Sequence, residues 1–284
     1  MMRFTLAAFA DEADSAIEGQ IKALSDNGIR HLEIRGVDGV NISKITKEKA
    51  KSVRNMLDSH GISVWSIGSP YGKIKITDAF SSHLDSFKYG LELASLFSAE
   101  NMRVFSFYVP KNEADMYADE VKQRLNAFSE AALGSGVSLC HENEKGIYGD
   151  TIDRCLDIHR SFPDIKAVFD PANFVQCGQD TKAAWELLSG YVKYLHIKDA
   201  VSDGTVVPAG KGIGNIPYLL QRYKGQVLTL EPHLSEFVGL GELEGEDKTK
   251  LNAFSYASKR EAFDAAVDAL TGIVSKIERR SENG

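Results

Sequence analysis

The stretch SAIEGQIKALSDNGIRHLEI, residues 15–34, contains a helix pattern, a glycine and a strand pattern in direct succession. Apolar residues recur at the spacing of one helix face over residues 15–27, which predicts an amphipathic helix. Gly28 stands where a helix commonly ends, and the apolar run of residues 29–34 then predicts a short strand. This order is the second half of a βαβ unit.

The same order returns twice and extends to most of the chain. Residues 46–60 and 114–134 have helix patterns, and each is followed by a glycine and a short apolar run. Further strands are predicted at residues 4–9, 103–107, 165–169, 192–197 and 227–230, and further helices at 80–98, 150–160, 180–189, 215–223 and 258–277. Eight strands therefore alternate with eight helices.

This alternation predicts an α/β fold with a parallel sheet, because near-continuous apolar strands are typical of sheets covered on both faces. Eight such units in 284 residues favour one domain over residues 1–284, a single (β/α)₈ TIM barrel. An open, doubly wound sheet of eight strands is the alternative.

Composition and charge exclude several classes of protein. The chain is 43% hydrophobic and 26% charged, which is ordinary for a globular protein. Its formal charge of −7, without basic blocks, argues against nucleic-acid and anionic-membrane partners. Three cysteines at unpatterned spacing indicate neither a disulfide framework nor a thiolate zinc site. Two acidic residues directly follow the short apolar N-terminal run, which is wrong for a signal peptide, so a cytoplasmic location is expected.

Polar residues end the last four predicted strands, at the edge where a TIM barrel places its active site. The segments are His141-Glu142-Asn143, Phe169-Asp170-Pro171-Ala172-Asn173, His196-Ile197-Lys198-Asp199 and Leu230-Glu231-Pro232-His233. In a barrel, one side chain from each strand end would meet above the packed interior. These side chains are Glu142, Asp170, His196 and Glu231.

Three carboxylates and an imidazole held together would repel one another unless a cation lay among them. Three oxygens and one nitrogen suit Mn²⁺, Mg²⁺, Co²⁺ or Zn²⁺. Taken singly, a strand-end Asp is often a helix N-cap and a lone His is often a structural group. Four such residues in four consecutive units favour a metal site.

These segments resemble the motifs of the xylose-isomerase-like sugar phosphate isomerase/epimerase superfamily. That group includes ketose 3-epimerases, hydroxypyruvate isomerase, inosose dehydratase, dehydroshikimate dehydratase and, more distantly, endonuclease IV. The spacings of 28, 26 and 35 residues between the four candidate ligands are close to those of the epimerase branch. The resemblance covers nearly the whole chain in layout and is specific over its second half.

The resemblance implies that Glu142, Asp170, His196 and Glu231 bind one divalent metal and that Glu142 and Glu231 are also the catalytic acid and base. Mn²⁺ is the first candidate, and Zn²⁺, Mg²⁺ and Co²⁺ are alternatives, because oxygen-rich ligation tolerates exchange. The implied partner is a small carbohydrate substrate. The resemblance also implies a homo-oligomer, a dimer or tetramer.

Further substrate contacts are predicted at Arg35, His141, Asn173 and Lys198. The alternatives are an ion pair of Arg35 with Glu33 or Asp38, and a solvated position for Lys198. One of His141 and Asn143 is expected to face the helix layer. Asn173 stands where several ketose epimerases of the family have a His, which argues against a simple ketohexose epimerase.

The stretch Gly210-Lys211-Gly212-Ile213-Gly214-Asn215-Ile216 follows the seventh predicted strand and opens a helix. Glycines before a helix allow a phosphate cradle. A flexible loop that ends in an Asn215 N-cap is the preferred interpretation.

The predicted function is a metal-dependent sugar isomerase or epimerase that passes a proton between two glutamates through an enediolate. A dehydratase of the inosose or dehydroshikimate type is the alternative, because the same site can expel a β-hydroxyl group. DNA repair would need about three metals, and the chain has only seven histidines. A barrel that has lost its activity is a third possibility, against which the intact set of four ligands argues.

Overall fold

Eight parallel strands close into a barrel in the computed structural model, which describes residues 3–237 and 256–282. They are β1 (Thr5–Ala8), β2 (His31–Ile34), β3 (Ser63–Ile67), β4 (Asn101–Val104), β5 (Ser138–Glu142), β6 (Lys166–Phe169), β7 (Val192–Ile197) and β8 (Val227–Leu230). Each strand pairs with the next one in the chain, and β8 pairs with β1. The predicted (β/α)₈ TIM barrel is confirmed, and the open-sheet alternative is wrong.

Helices follow the strands and surround the barrel. They are α1 (Ile17–Asp26), α2 (Lys47–Ser59), α3 (Phe80–Phe97), α4 (Ala118–Ala132), α5 (Ile152–Ser161), α6 (Pro171–Gln176), α7 (Thr181–Leu188), α8 (Ile216–Arg222) and α9 (Lys259–Glu282). The sequence pattern predicted each of them except α6. This short helix begins directly after β6, where the Asp170 side chain accepts a hydrogen bond from Asn173 N and so caps it.

The glycines of the helix–glycine–strand pattern have a conformational reason. Gly28, Gly61 and Gly136 have φ angles of +66°, +65° and +76°. Residues with a Cβ atom adopt this left-handed region at a cost of about 1–2 kcal/mol, whereas glycine does not. The glycines therefore let the chain leave a helix and turn at once into the next strand.

The alternation of side chains along the strands separates two regions of the core. Residues that face outward pack against the helices in one large apolar cluster. Inward-facing Cys140, Val168 and Tyr194 belong to a smaller cluster near the amino ends of the strands. Because inward-facing positions recur every second residue, Glu142, Asp170 and His196 are the next to face the barrel axis.

Two-residue strands form small antiparallel hairpins after β2 (Gly36–Val37 with Val40–Asn41) and after β7 (Asp199–Ala200 with Val206–Val207). Among the described helices, none is both long and apolar enough to cross a lipid bilayer. A single domain over residues 1–284 stays a prediction.

Candidate metal centre

Four polar side chains meet at the carboxyl end of the barrel, which we call the mouth. Glu142 ends β5, Asp170 follows β6, His196 lies in β7 and Glu231 follows β8. All four are buried, and they offer ligand atoms that lie within 4.8 Å of one another. The structure thus brings together the whole predicted set, named here the four-residue cluster.

Two carboxylate oxygens of this cluster are available to a ligand. Within residues 3–237 and 256–282, Glu142 Oε2 and Asp170 Oδ2 are buried and have no hydrogen-bond partner. Arg103 Nη1 lies 3.1 Å from the first and Lys198 Nζ lies 2.8 Å from the second, as ion pairs without hydrogen-bond geometry. Both oxygens therefore have a charge partner but keep hydrogen-bonding positions that a ligand can fill. Together with the imidazole, this donor set fits a divalent cation of the predicted kinds.

His196 contacts acidic groups through both ring nitrogens. Its Nδ1 lies 3.0 Å from Glu142 Oε1 and 3.2 Å from Glu231 Oε2, whereas its Nε2 lies 3.2 Å from Glu33 Oε2. Burial alone would lower the pKa of His196, but these carboxylates outweigh burial and raise the pKa well above its ordinary value. The ring therefore links the cluster to a deeper carboxylate of the barrel interior.

Arg35 is a buried part of the site. Its guanidinium lies 2.9 Å from Asp11 Oδ1, 3.1 Å from Glu12 Oε1 and 3.1 Å from Glu231 Oε1. The alternative ion pair with Glu33 or Asp38 is therefore wrong. Arg35 already makes four hydrogen bonds to carboxylates of the protein, and its contact with a substrate stays a prediction.

Lys198 and Arg103 place two further positive charges beside the cluster. Lys198 Nζ lies 3.3 Å from Glu231 Oε2 in addition to its contact with Asp170. Arg103, from β4, lies 3.5 Å from Glu231 Oε1 in addition to its contact with Glu142. Both side chains are buried, so the solvated alternative for Lys198 is wrong.

Two carboxyl groups of the cluster differ in proton affinity. Burial raises the pKa of Asp170 to about 7, since desolvation outweighs the attraction of Lys198. For Glu231 burial acts in the same direction, but Lys198 and His196 outweigh it and hold the pKa well below its ordinary value. Carboxyl groups with separated pKa values are the usual basis of acid–base chemistry in enzymes.

Of the other predicted substrate contacts, Asn173 lies in the site and His141 does not. Asn173 Nδ2 donates to Glu142 Oε1 at 3.3 Å and to Asn143 O at 2.9 Å. His141 Nε2 instead lies 2.9 Å from Ser106 Oγ, and its ring contacts that of His159. Neighbours in a strand face opposite sides, so His141 points to the helix layer where Glu142 points to the axis. Its position corrects the predicted substrate contact.

A second acidic group lies next to the cluster. Ligand atoms of Glu12, Glu231 and His233 also lie within 4.8 Å of one another. Arg35 contacts both glutamates of this group, so a cation is already present there and we assign no second metal. His233 has a left-handed backbone with φ of +45°, and neither of its ring nitrogens has a hydrogen-bond partner in the described part of the chain.

The sequence interpretation overlooked Glu33 and Arg103 as parts of the site. Both interrupt apolar strands, in Leu32-Glu33-Ile34 and Met102-Arg103-Val104. A charged residue inside a buried strand is rare unless it is paired. That interruption is the signal that could have identified them.

The glycine-rich loop before α8 surrounds an internal carboxylate. Asp199 accepts hydrogen bonds of 2.8–3.0 Å from the backbone N–H groups of Gly210, Gly212 and Gly214. The N–H groups that could have held a phosphate are thus occupied, and the phosphate-cradle alternative is wrong. Asn215 stands at the N-cap position, but its side chain donates to Thr181 and makes no capping bond.

A family model described as xylose isomerase-like TIM barrel matches residues 21–239. The chain belongs to this family, which confirms the resemblance noted in the sequence. A comparison with curated proteins gives no match.

Solved structures of the same fold include enzymes of two reaction types. The IOLI protein, in a structure with a bound zinc atom, is 13% identical with a TM-score of 0.73, over 96% of this chain and 99% of that one. The probable 3-DHS dehydratase AsbF from Bacillus anthracis is 16% identical with a TM-score of 0.68, over 94% and 98%. D-psicose 3-epimerase from Clostridium cellulolyticum H10 is 13% identical with a TM-score of 0.69, over 96% and 99%. At these identities the likeness establishes the fold.

Proposed function

We propose that this protein is a metal-dependent isomerase or epimerase of a small keto-sugar or sugar derivative. The observation that carries the proposal is the four-residue cluster, because it combines a buried donor set for a divalent cation with two glutamates, Glu142 and Glu231. The likeness to D-psicose 3-epimerase supports the reaction class. The fold supports the location, since TIM-barrel enzymes place their active sites at the carboxyl ends of the strands.

One divalent ion is proposed to bind Glu142, Asp170, His196 and Glu231. Mn²⁺ is the first candidate, and the zinc atom of the IOLI structure supports Zn²⁺ as well. When bound, such an ion neutralises the negative charge that develops on substrate oxygens during proton removal.

Glu142 and Glu231 are proposed to move the protons. One of them removes a proton from the hydroxyl-bearing carbon next to the substrate carbonyl. The C–H electron pair becomes the C=C bond, and the carbonyl π pair moves onto its oxygen to give an enediolate. The other returns a proton to the neighbouring carbon while the hydroxyl proton passes from one enediolate oxygen to the other, which isomerises the sugar. Return of the proton to the opposite face of the same carbon epimerises it.

Three neighbours of the two glutamates are proposed to support this step. Lys198 Nζ and Arg103 Nη1 place positive charge within 3.5 Å of Glu231, close to where the enediolate would form. Asn173 Nδ2 donates to Glu142 Oε1 and so orients that carboxylate.

A dehydratase is the second candidate, and the likeness to the probable 3-DHS dehydratase favours it. In that reaction the enediolate electrons expel a β-hydroxyl group, which leaves as water after it takes a proton. The glutamate that removed the first proton is then the group that delivers it to the leaving hydroxyl. Turnover of keto-sugars in D₂O separates the two candidates, because an isomeric product with solvent deuterium indicates the first and loss of water indicates the second.

Replacement of Glu142 or Glu231 by glutamine tests the proton-transfer proposal. Glutamine keeps a ligating oxygen and nearly the same size, but it cannot accept or deliver the proton. We expect each single variant to retain metal and to lose on the order of 10²–10⁴ in kcat, the usual contribution of a positioned acid or base. The kcat of the double variant should be only slightly lower than that of either single variant, since the two groups act as a unit. The measurement is kcat at saturating metal with a substrate from the D₂O screen.

Glu130→Gln is the matched control, because Glu130 lies on α4 and bonds only locally to Asn126. It should keep the wild-type kcat. If the kcat of either site variant were within a factor of about five of the wild-type kcat, the two-glutamate mechanism would be wrong.

A further inference from the structure

We infer that Glu33 is the positioning residue for His196, and that it directs the Nδ1 lone pair of His196 toward the metal position. This inference rests on the proposed metal site, to which it adds a residue outside the four-residue cluster. Glu33 lies on β2, deeper in the barrel than the cluster and completely buried.

The hydrogen bonds of Glu33 come from donors on two other strands. Its Oε1 accepts from Tyr194 Oη at 2.8 Å and from Ser66 Oγ at 3.2 Å. Its Oε2 lies 3.2 Å from His196 Nε2. A carboxylate that receives hydrogen bonds from hydroxyl groups has lone pairs to offer and no proton to give. It therefore favours the form of His196 in which Nε2 carries the hydrogen.

The state of the other ring nitrogen, Nδ1, then follows from the chemistry of imidazole. When His196 carries one proton and that proton is on Nε2, Nδ1 presents a lone pair. Nδ1 lies 3.0 Å from Glu142 Oε1, which is another acceptor. A cation bound by both atoms would take the place of the proton that they otherwise share. Glu33 thus fixes which nitrogen is offered to the ion, as carboxylates behind metal-binding histidines commonly do.

Packing limits rotation of the ring, so the hydrogen bond can select one orientation. The Phe9 ring meets the His196 ring edge-on with centroids 5.2 Å apart, and the Tyr194 ring lies 5.5 Å away. Tyr194 also bonds to Glu33, so one side chain contacts both members of the pair.

Zinc binding to the metal-free full-length protein tests this role without a substrate. Glu33→Leu removes the acceptor. Glu33→Gln keeps one acceptor oxygen, and it serves as the second variant in case the barrel does not tolerate leucine at this position. We expect Glu33→Leu to bind Zn²⁺ roughly 10–100-fold more weakly in titration calorimetry, the usual effect of such a partner. Glu33→Gln should recover part of that loss. Tyr194→Phe is the matched control, because it removes another hydrogen bond of Glu33 but keeps the ring that packs beside His196 and leaves the bond between Glu33 and His196 in place. It should bind Zn²⁺ within about threefold of wild type.

A second measurement reports the ring directly. In ¹⁵N spectra of the zinc-loaded wild type, with the His196 signals assigned through His196→Asn, the proton should be on Nε2 and the metal on Nδ1. A proton on Nδ1, or wild-type zinc affinity in both Glu33 variants, would overturn the inference while leaving the proposed function intact. A wild type that binds neither Zn²⁺ nor Mn²⁺ would overturn both. Weakened binding in the variants without turnover of any sugar would support the inference and count against the proposed function alone.

Discussion

Glu12 is a buried carboxyl group whose protonation is set by its surroundings. It lies 3.1 Å from Arg35, and its Oε2 accepts a hydrogen bond from His233 N at 2.7 Å. Burial nevertheless raises the pKa of Glu12 to about 8, and the nearby Glu231 adds to this effect. The side chain is therefore mostly protonated in the fold at neutral pH.

This shift predicts a pH dependence of stability. Between the ordinary carboxyl pKa near 4.5 and a pKa of about 8, the folded chain keeps a proton that the unfolded chain releases. The unfolding free energy should therefore fall as the pH rises through this window, with a contribution of up to about 1.4 kcal/mol per pH unit. Glu12→Gln should lack that contribution. The measurement is urea unfolding at pH 5, 6, 7 and 8 with a chelator present.

Glu130→Gln, an exposed replacement of the same kind, should leave the wild-type slope unchanged. Parallel curves for wild type and Glu12→Gln would show that Glu12 is ionised in the fold, contrary to its burial.

At the residue scale, sequence reasoning identified the side chains that stand at strand ends. Glu142, Asp170, His196 and Glu231 were predictable because chain order in a barrel also sets spatial order. The partners of Arg35 were not, because Asp11 lies in the turn after β1 and Glu231 lies after β8. Ion pairs between segments that are far apart in the sequence depend on side-chain geometry that the one-dimensional pattern does not contain.

The loop before α8 is an element held by one carboxylate. Asp199 accepts hydrogen bonds from three glycine N–H groups and is itself buried. Burial raises its pKa, and the backbone N–H groups oppose that change. The loop is therefore ordered around an internal anion.

Asp199→Ala should release this loop while the barrel stays folded. The freed N–H groups of Gly210, Gly212 and Gly214 should lose protection in amide hydrogen exchange. The free energy of unfolding should fall by about 2 kcal/mol or more. Asp203→Ala is the control, since Asp203 accepts from Thr205 N in an exposed turn. Unchanged protection of the three glycine amides in Asp199→Ala would show that the carboxylate does not hold the loop.

At the element scale, the predicted helices and strands were right where a local pattern controlled them. The helix that begins after Asp170 was missed because its six residues are too short for an apolar period to register. The prediction of an Asn215 N-cap was wrong because Asn215 has a left-handed backbone with φ of +58°. From this conformation its side chain donates to Thr181 instead.

The whole molecule should gain stability from the ion. Ligands that bind only the folded state stabilise it by mass action, by about 4 kcal/mol at a thousandfold excess over Kd. For a chain of this size the corresponding rise in Tm is roughly 8 °C. Asp170→Ala should fold but lose the rise, because it removes one of the four ligands. The measurement is thermal unfolding of chelator-treated protein with and without Mn²⁺ or Zn²⁺.

Asp180→Ala is the control for this comparison. Asp180 caps α7 through Lys182 N and Ala183 N, so its removal should lower Tm in both conditions and leave the metal-dependent rise unchanged. A full rise in Asp170→Ala would place the ion elsewhere.

The buried cations around the cluster have a consequence for the order in which the protein matures. Arg35, Arg103 and Lys198 all contact carboxylates of the site from within the chain itself. These contacts offset the mutual repulsion of the acids, so we expect the barrel to fold without a bound ion. Folding and uptake of the proposed ion would then be separate events in time. Since sites of this donor type discriminate weakly among ions, the composition of the surrounding metal pool, rather than the folding pathway, would decide which ion the proposed site takes up.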